Sequence, residues 1–248
     1  MGLPFVFHEG YHTELPPGHR FPMGKFRALH ARLLRDGVAR PGWVCRPQAP
    51  ERAALERVHS PHYLQALCAG TLPDLAMRRI GFPWSPDLIR RTHIAVGGTL
   101  LTARLALRHG LACNMAGGTH HAFPGFGTGF CLLNDMAVAA RELVSGGEAA
   151  RVMIVDLDVH QGDGTNVIFK GDANVFTFSL HAAKNFPGRK QPGDCDVALE
   201  DGLGDEAYLE RLRAELPPVV EAFGPSLVIY DAGVDPHRED RLGRLALT

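Results

Sequence analysis

Short aliphatic runs alternate along this chain with stretches of helical period and polar clusters closed by glycine. Val152–Val155 is a run of β-branched and long aliphatic residues, the pattern of a strand buried on both faces. Asn174–Leu180 and Ser226–Tyr230 read as further buried strands, and residues 4–7 and 111–115 as shorter ones. Gly24–Asp36 predicts an amphipathic helix with Phe26, Leu29, Leu33 and Leu34 on one face and Gly37 beyond its end. Residues 50–55 open a short helix. Ser60-Pro61 and Ser85-Pro86 each set a capping serine before proline at the first helical position. The first predicts a helix carrying Tyr63, Leu64 and Leu67; the second predicts a long helix to about His109, closed by Gly110. Gly97-Gly98 in that long helix reads as a close-packing point. Residues 81–86 predict a loop exposing two aromatics, Phe82 and Trp84. Asn134 or Asp135 caps a helix through Leu143. Asp205 to about Phe223 is helical, with Pro217-Pro218 expected to kink or restart it.

Strands alternating with helices, without hairpin signals, predict an α/β fold: a parallel sheet with helices on both faces, three layers in all. The polar clusters follow the strands' carboxyl ends, the edge where such sheets bind ligands. His120, His121, Asp158, His160, His181 and Asp240 can therefore converge although they are distant in sequence. The polar stretch His8–Glu14 reads instead as a loop after the first strand.

Composition narrows the function. The 248 residues are 45% hydrophobic and 21% charged, with a formal net charge of −1. That balance fits one globular domain and gives no electrostatic case for nucleic acid or an anionic membrane surface. The five cysteines are odd in number and form no C-x-x-C pair, which suits a reducing compartment, and a cytoplasmic location is expected. No signal peptide or apolar run long enough to span a bilayer is read. The thirteen histidines direct attention to metal chemistry.

Asp156, Asp158, His160 and Asp163 follow the Val152–Val155 run. Such groups are costly at the end of a buried strand unless something pairs with them, and a divalent metal is a suitable partner. Residues i and i+2 of an extended chain point the same way, so Asp158 and His160 can share an ion while Asp156 and Asp163 face elsewhere. A catalytic zinc needs a third protein ligand. Asp231, Asp235, Glu239 and Asp240 are the acids in supply, and spacing does not choose among them. His120 and His121, after Gly117-Gly118, add imidazoles able to carry a proton to and from a reacting group.

Gly117-Gly-Thr-His-His-Ala122, Gly129-Phe-Cys-Leu-Leu-Asn-Asp135, Val155–Gly164, Phe178-Ser-Leu-His181 and Ala232-Gly-Val-Asp235 with Asp240-Arg-Leu-Gly243 stand in one order. Together they resemble the histone deacetylase family of the arginase/deacetylase superfamily. The resemblance implies that family's parallel sheet flanked by helices, and amide hydrolysis of an acylated lysine or related acylated amine. It implies zinc, with iron as an alternative, held by Asp158, His160 and Asp240. His120 and His121 fall on the catalytic pair, with Asp156 behind His120 and Asp163 behind His121. Gly129, Phe130 and Phe186 fall on the acyl channel. Asp156, Asp158, His160, Ser179 and Leu180 fall on a structural potassium site. The family also carries an oxyanion-binding Tyr in a Gly-rich block well beyond the third ligand. The sequence ends at Thr248, so one catalytic domain lacking its C-terminal part is expected. Pro83-Trp84 stand where many relatives carry an Asp that holds the substrate backbone, which tells against a histone tail. A two-manganese ureohydrolase would want a carboxylate two residues after His160, where Gly162 stands.

Overall fold

Strand pairing in this chain is parallel throughout its two sheets. A computed structural model describes residues 2–248, and the chain forms two compact units, Met1–Glu142 and Leu143–Thr248. In the first unit β1 (Phe5–Val6) pairs with β2 (Val44–Cys45) and with β3 (Cys113–Asn114), in the order β2-β1-β3. Its helices are α1 (Lys25–Arg35), α2 (Arg52–Glu56), α3 (Pro61–Ala69), α4 (Asp74–Ile80) and α5 (Pro86–His109), with α6 (Asp135–Ser145) at the division. In the second unit β4 (Val152–Asp156) lies between β5 (Val175–Ala182) and β7 (Leu227–Asp231), and β6 (Cys195–Leu199) edges β5. Helices α7 (Asp163–Phe169) and α8 (Asp205–Phe223) belong to this unit.

The punctuation residues act as their chemistry dictates. The hydroxyl of Ser60 accepts the Tyr63 amide at 3.3 Å, and that of Ser85 accepts the Leu88 amide at 3.1 Å. Asn134 caps α6 by accepting the Ala137 amide at 2.9 Å. Gly110 closes α5 in the left-handed conformation. Gly97 and Gly98 are packing points: a β-carbon at Gly97 would collide with the Gln48 carbonyl, and one at Gly98 with the Tyr11 hydroxyl.

Several expectations are corrected. Phe82 is 2% exposed, ringed by His19, Phe21 and Phe130. Trp84 is half-buried over Gly70 and donates its indole N–H to the Leu67 carbonyl at 2.8 Å. The loop read over these aromatics is preceded by α4, whose Asp74 and Arg78-Arg79 suit the two ends of its dipole. On α1 only Phe26 is buried, and Leu29 is exposed. Helix α8 runs unbroken through Pro217 and Pro218. Its middle is exposed or half-buried, so water can take the carbonyls that proline leaves without a donor. Strand β7 buries its ends but exposes Val228 and Tyr230. The second unit's core is Met153, Val155, Phe178, Leu180 and Val197 with Tyr208 from α8. Among the described residues, no helix is long and apolar enough to cross a membrane, and all five cysteines are free.

Candidate metal centre and its surroundings

Strand β4 ends on Asp156, in register with Ser179 of β5 and Asp231 of β7. Asp156 is buried, and its Oδ1 accepts the amide of Asp158 at 3.1 Å. Asp158 Oδ1 then accepts the amide of His160 at 2.8 Å. These two side-chain-to-backbone bonds fix the turn and carry Asp158 and His160 onto one side. The Nδ1 of His160 lies 2.9 Å from Asp158 Oδ1 and 3.0 Å from Asp235 Oδ2. The other Asp235 oxygen accepts the Val159 amide at 2.9 Å. One ligand atom from each of Asp158, His160 and Asp235 lies within 4.8 Å of the others.

An imidazole nitrogen and two carboxylates, half-buried and converging, fit a divalent ion of the zinc type, and three protein ligands match a catalytic site with one position left open. The imidazole also lies within hydrogen-bond reach of both carboxylates. Burial pulls the His160 imidazole down, but hydrogen bonds and charge from Asp158 and Asp235 outweigh it and raise its pKa to about 9. Burial raises the Asp235 carboxyl against the opposing pull of His160.

Asp235, rather than Asp240, completes the group. Asp240 Oδ1 accepts the amides of Leu242 at 2.7 Å and Gly243 at 3.2 Å, so that carboxylate caps a turn. The physical reason lies at Gly233, where a β-carbon would stand 2.5 Å from the Asp158 Cα. Bare backbone there lets the segment after β7 lie against the segment after β4, which brings Asp235 to His160. A glycine two residues before an acid at a strand's carboxyl end was the available signal. His181 is buried with its Nδ1 3.0 Å from the Ser179 hydroxyl. Asp163 is buried at the start of α7 and accepts the Gly164 amide at 3.0 Å. Leu180 follows Ser179 on β5 and is fully buried.

In the first unit, His120 and His121 are 3% and 4% exposed, with ring centroids 4.1 Å apart. Their segment is held by its backbone. Asn134 Nδ2 donates to the carbonyls of His120 and Ala122, each at 3.3 Å. Asp135 accepts the amides of Gly118 at 3.2 Å and Thr119 at 2.7 Å. His59 adds a third tie: its Nε2 accepts the Asn134 amide at 3.0 Å and its Nδ1 lies 3.0 Å from the Phe123 carbonyl. A carbonyl only accepts, so Nδ1 carries the hydrogen. Burial pushes the His59 pKa down to about 4.

Gly129 and Phe130 both have positive φ, at 55° and 64°. Phe130 is the one non-glycine residue so placed among those described. Its amide donates to the Ile80 carbonyl at 2.7 Å, and the Gly129 amide to the Arg79 carbonyl at 3.3 Å. These are orphan carbonyls at the end of α4. In the second unit Phe186 is 44% exposed. The ammonium of Lys190 donates to the carbonyls on either side of it, Asn185 at 2.6 Å and Pro187 at 2.9 Å. Burial lowers the Lys190 pKa.

A family model described as the histone deacetylase domain matches residues 19–248. An uncharacterized protein of Picosynechococcus sp. is 58% identical over 248 residues, covering 100% of this chain and 83% of its own. The acetoin utilization protein AcuC of Staphylococcus aureus is 29% identical over 252 residues, which cover 93% of this chain and 64% of that protein. Histone deacetylase 1 of Homo sapiens is also 29% identical over 93% of this chain, matched across 52% of its own length. Among solved structures, the crystal structure of the HDA15 HD domain superposes with a TM-score of 0.82 at 26% identity, covering 100% of this chain and 76% of that one.

Proposed function

The chain belongs to the histone deacetylase family, and from that membership we propose that it is a metal-dependent amidohydrolase. It removes acetyl or longer acyl groups from the ε-amino group of lysine in proteins, or from a related acylated amine. The observation that carries this reading is the Asp158–His160–Asp235 group, whose ligand atoms converge within 4.8 Å at the carboxyl edge of the sheet.

Zinc, or iron in its place, would be held by those three side chains, where it supplies polarisation of the acyl carbonyl and activation of the attacking water. The remaining chemistry falls to the two histidines. His121 takes the proton from water as the carbon–oxygen bond forms. It returns that proton to the amine nitrogen as the carbon–nitrogen bond breaks. His120 supports the developing charge, and Asp156 and Asp163 set the tautomers of the pair. The chain works as a single catalytic domain. Phe130 and Phe186, with Gly129, line the acyl path. Asp156, Asp158, His160, Ser179 and Leu180 would hold a structural potassium ion, largely through backbone oxygens. The protein works in the cytoplasm.

Gly162, where a second metal would want a carboxylate, favours one metal over a two-manganese ureohydrolase. Trp84 is spent on packing and on the Leu67 carbonyl, which favours acylated amines other than a histone tail. The deciding experiment is an acyl-amine panel run with and without a chelator, on the full reading frame of the gene. Release of free acid that stops with chelator and returns with zinc is expected. Failure to cleave any acyl amine in zinc-loaded protein overturns the reading.

A further inference from the structure

Asn185 stands next to Phe186 and is 5% exposed. Its Nδ2 donates to the Leu242 carbonyl at 2.6 Å and lies 3.3 Å from His160 Nε2. Its Oδ1 is buried and has no hydrogen-bond partner. An unpaired buried amide oxygen is costly, so the vacant acceptor needs an explanation. A carbonyl can only accept, so the Leu242 bond fixes which end of the amide is the NH2 group.

The Nδ1 of His160 is the nitrogen that faces Asp158 and Asp235. A neutral imidazole ligating through Nδ1 carries its hydrogen on Nε2. That hydrogen needs an acceptor, and histidine ligands ordinarily find one in a neighbouring side chain or carbonyl. As the amide stands, its NH2 end rather than its oxygen faces Nε2. Half a rotation about Cβ–Cγ exchanges the amide's two ends and turns Oδ1 to Nε2–H. The Leu242 carbonyl then loses its donor, but Leu242 is half exposed and water can replace it.

We propose that Asn185 is the positioning residue for His160, accepting its Nε2–H through Oδ1 when the ring binds metal and releasing the Leu242 carbonyl as it does so. This rests on the reading of Asp158, His160 and Asp235 as metal ligands. The carbonyl of Asn185 is held by Lys190, so the side chain turns while the backbone that presents Phe186 stays fixed. Metal loading is thereby linked to the Leu242 turn by one amide.

The test measures zinc affinity by chelator competition and the His160 ring N–H by NMR, in wild type and in Asn185→Leu, Asn185→Ala and Asn185→Asp. Loss of the acceptor is expected to weaken zinc binding by about 10–100-fold in the Leu and Ala variants. Their zinc-loaded forms should lose the slowly exchanging Nε2–H resonance. Asn185→Asp keeps an acceptor but cannot donate to Leu242, so it should retain both affinity and resonance. Affinity in Asn185→Leu within about twofold of wild type, or Asn185→Asp as weak as Asn185→Leu, overturns the proposal. Should Asn185→Leu fail to fold, Asn185→Ala against Asn185→Asp makes the same comparison. Wild type that binds no zinc sinks the metal reading itself, and this inference with it.

Discussion

Gly81 yields to the ring of Phe130 the space that a side chain would occupy. A β-carbon at Gly81 would lie 2.9 Å from Phe130 Cε1, and Gly81 itself has a φ of 88°. The end of α4 therefore shapes the one left-handed non-glycine residue described in the chain, at a position expected to wall the acyl path. Gly110 ends α5 in the same conformation with open space around it, so it is an internal control. Gly110→Ala should destabilise by about 1 kcal/mol for the backbone alone. Gly81→Ala should lose more and should also lower kcat/KM for acyl hydrolysis, as read by denaturant unfolding and steady-state kinetics. Equal losses in stability with unchanged kinetics would show that the ring contact is immaterial.

Asp235 and Asp240 give opposite expectations for metal content. Asp235→Ala removes an oxygen 3.0 Å from His160 Nδ1, and purified protein should contain little zinc by elemental analysis. Asp240→Ala removes only a turn cap and should retain zinc. The reverse pattern would restore Asp240 as the ligand.

His121→Ala should abolish turnover, a loss of at least about 10²-fold for a proton-transfer group, while zinc stays near the wild-type content. Turnover like wild type in that variant would remove His121 from the role of base.

His59 predicts an acid limit to stability. Its pKa falls from 6.5 to about 4 on folding. Above 6.5 both states are neutral there and nothing is lost. Below it the unfolded chain binds a proton that the folded chain refuses, so stability falls as pH drops from 6.5 towards 4. One group over that window is worth about 3 kcal/mol. Urea unfolding at pH 7 and pH 4.5 should show the loss, and His59→Gln should flatten this part of the slope. An unchanged slope in His59→Gln would assign the acid sensitivity to other groups.

The elements legible in the sequence were those fixed by local chemistry. Ser60 and Ser85 sit where a hydroxyl before proline must cap, and the aliphatic run of β4 leaves no alternative to a buried strand. Asp158 and His160 were paired on the expectation of strand alternation, but β4 ends at Asp156 and a turn held by the Asp156 and Asp158 carboxylates sets them on one side. What could not be read depended on partners distant along the chain. Phe82 looks exposed between Gly81 and Pro83 because nothing nearby reveals that His19 and Phe130 cover it. Asp235 and Asp240 are both acids after a strand, and only the approach of Gly233 to Asp158 separates them. Asn185 has no motif around it; its interest appears only when His160 and Leu242 are seen on either side.

That same approach limits how this protein can vary. Any residue other than glycine at 233 would wedge the two strand-end segments apart and pull Asp235 away from His160. Val234, the next residue, is 78% exposed and meets no such constraint. In a saturation library across 226–240 sorted for retained zinc, position 233 should therefore admit one amino acid while its neighbour admits most. Mutational drift can repaint the rim of this centre, but the backbone at Gly233 is closed to change.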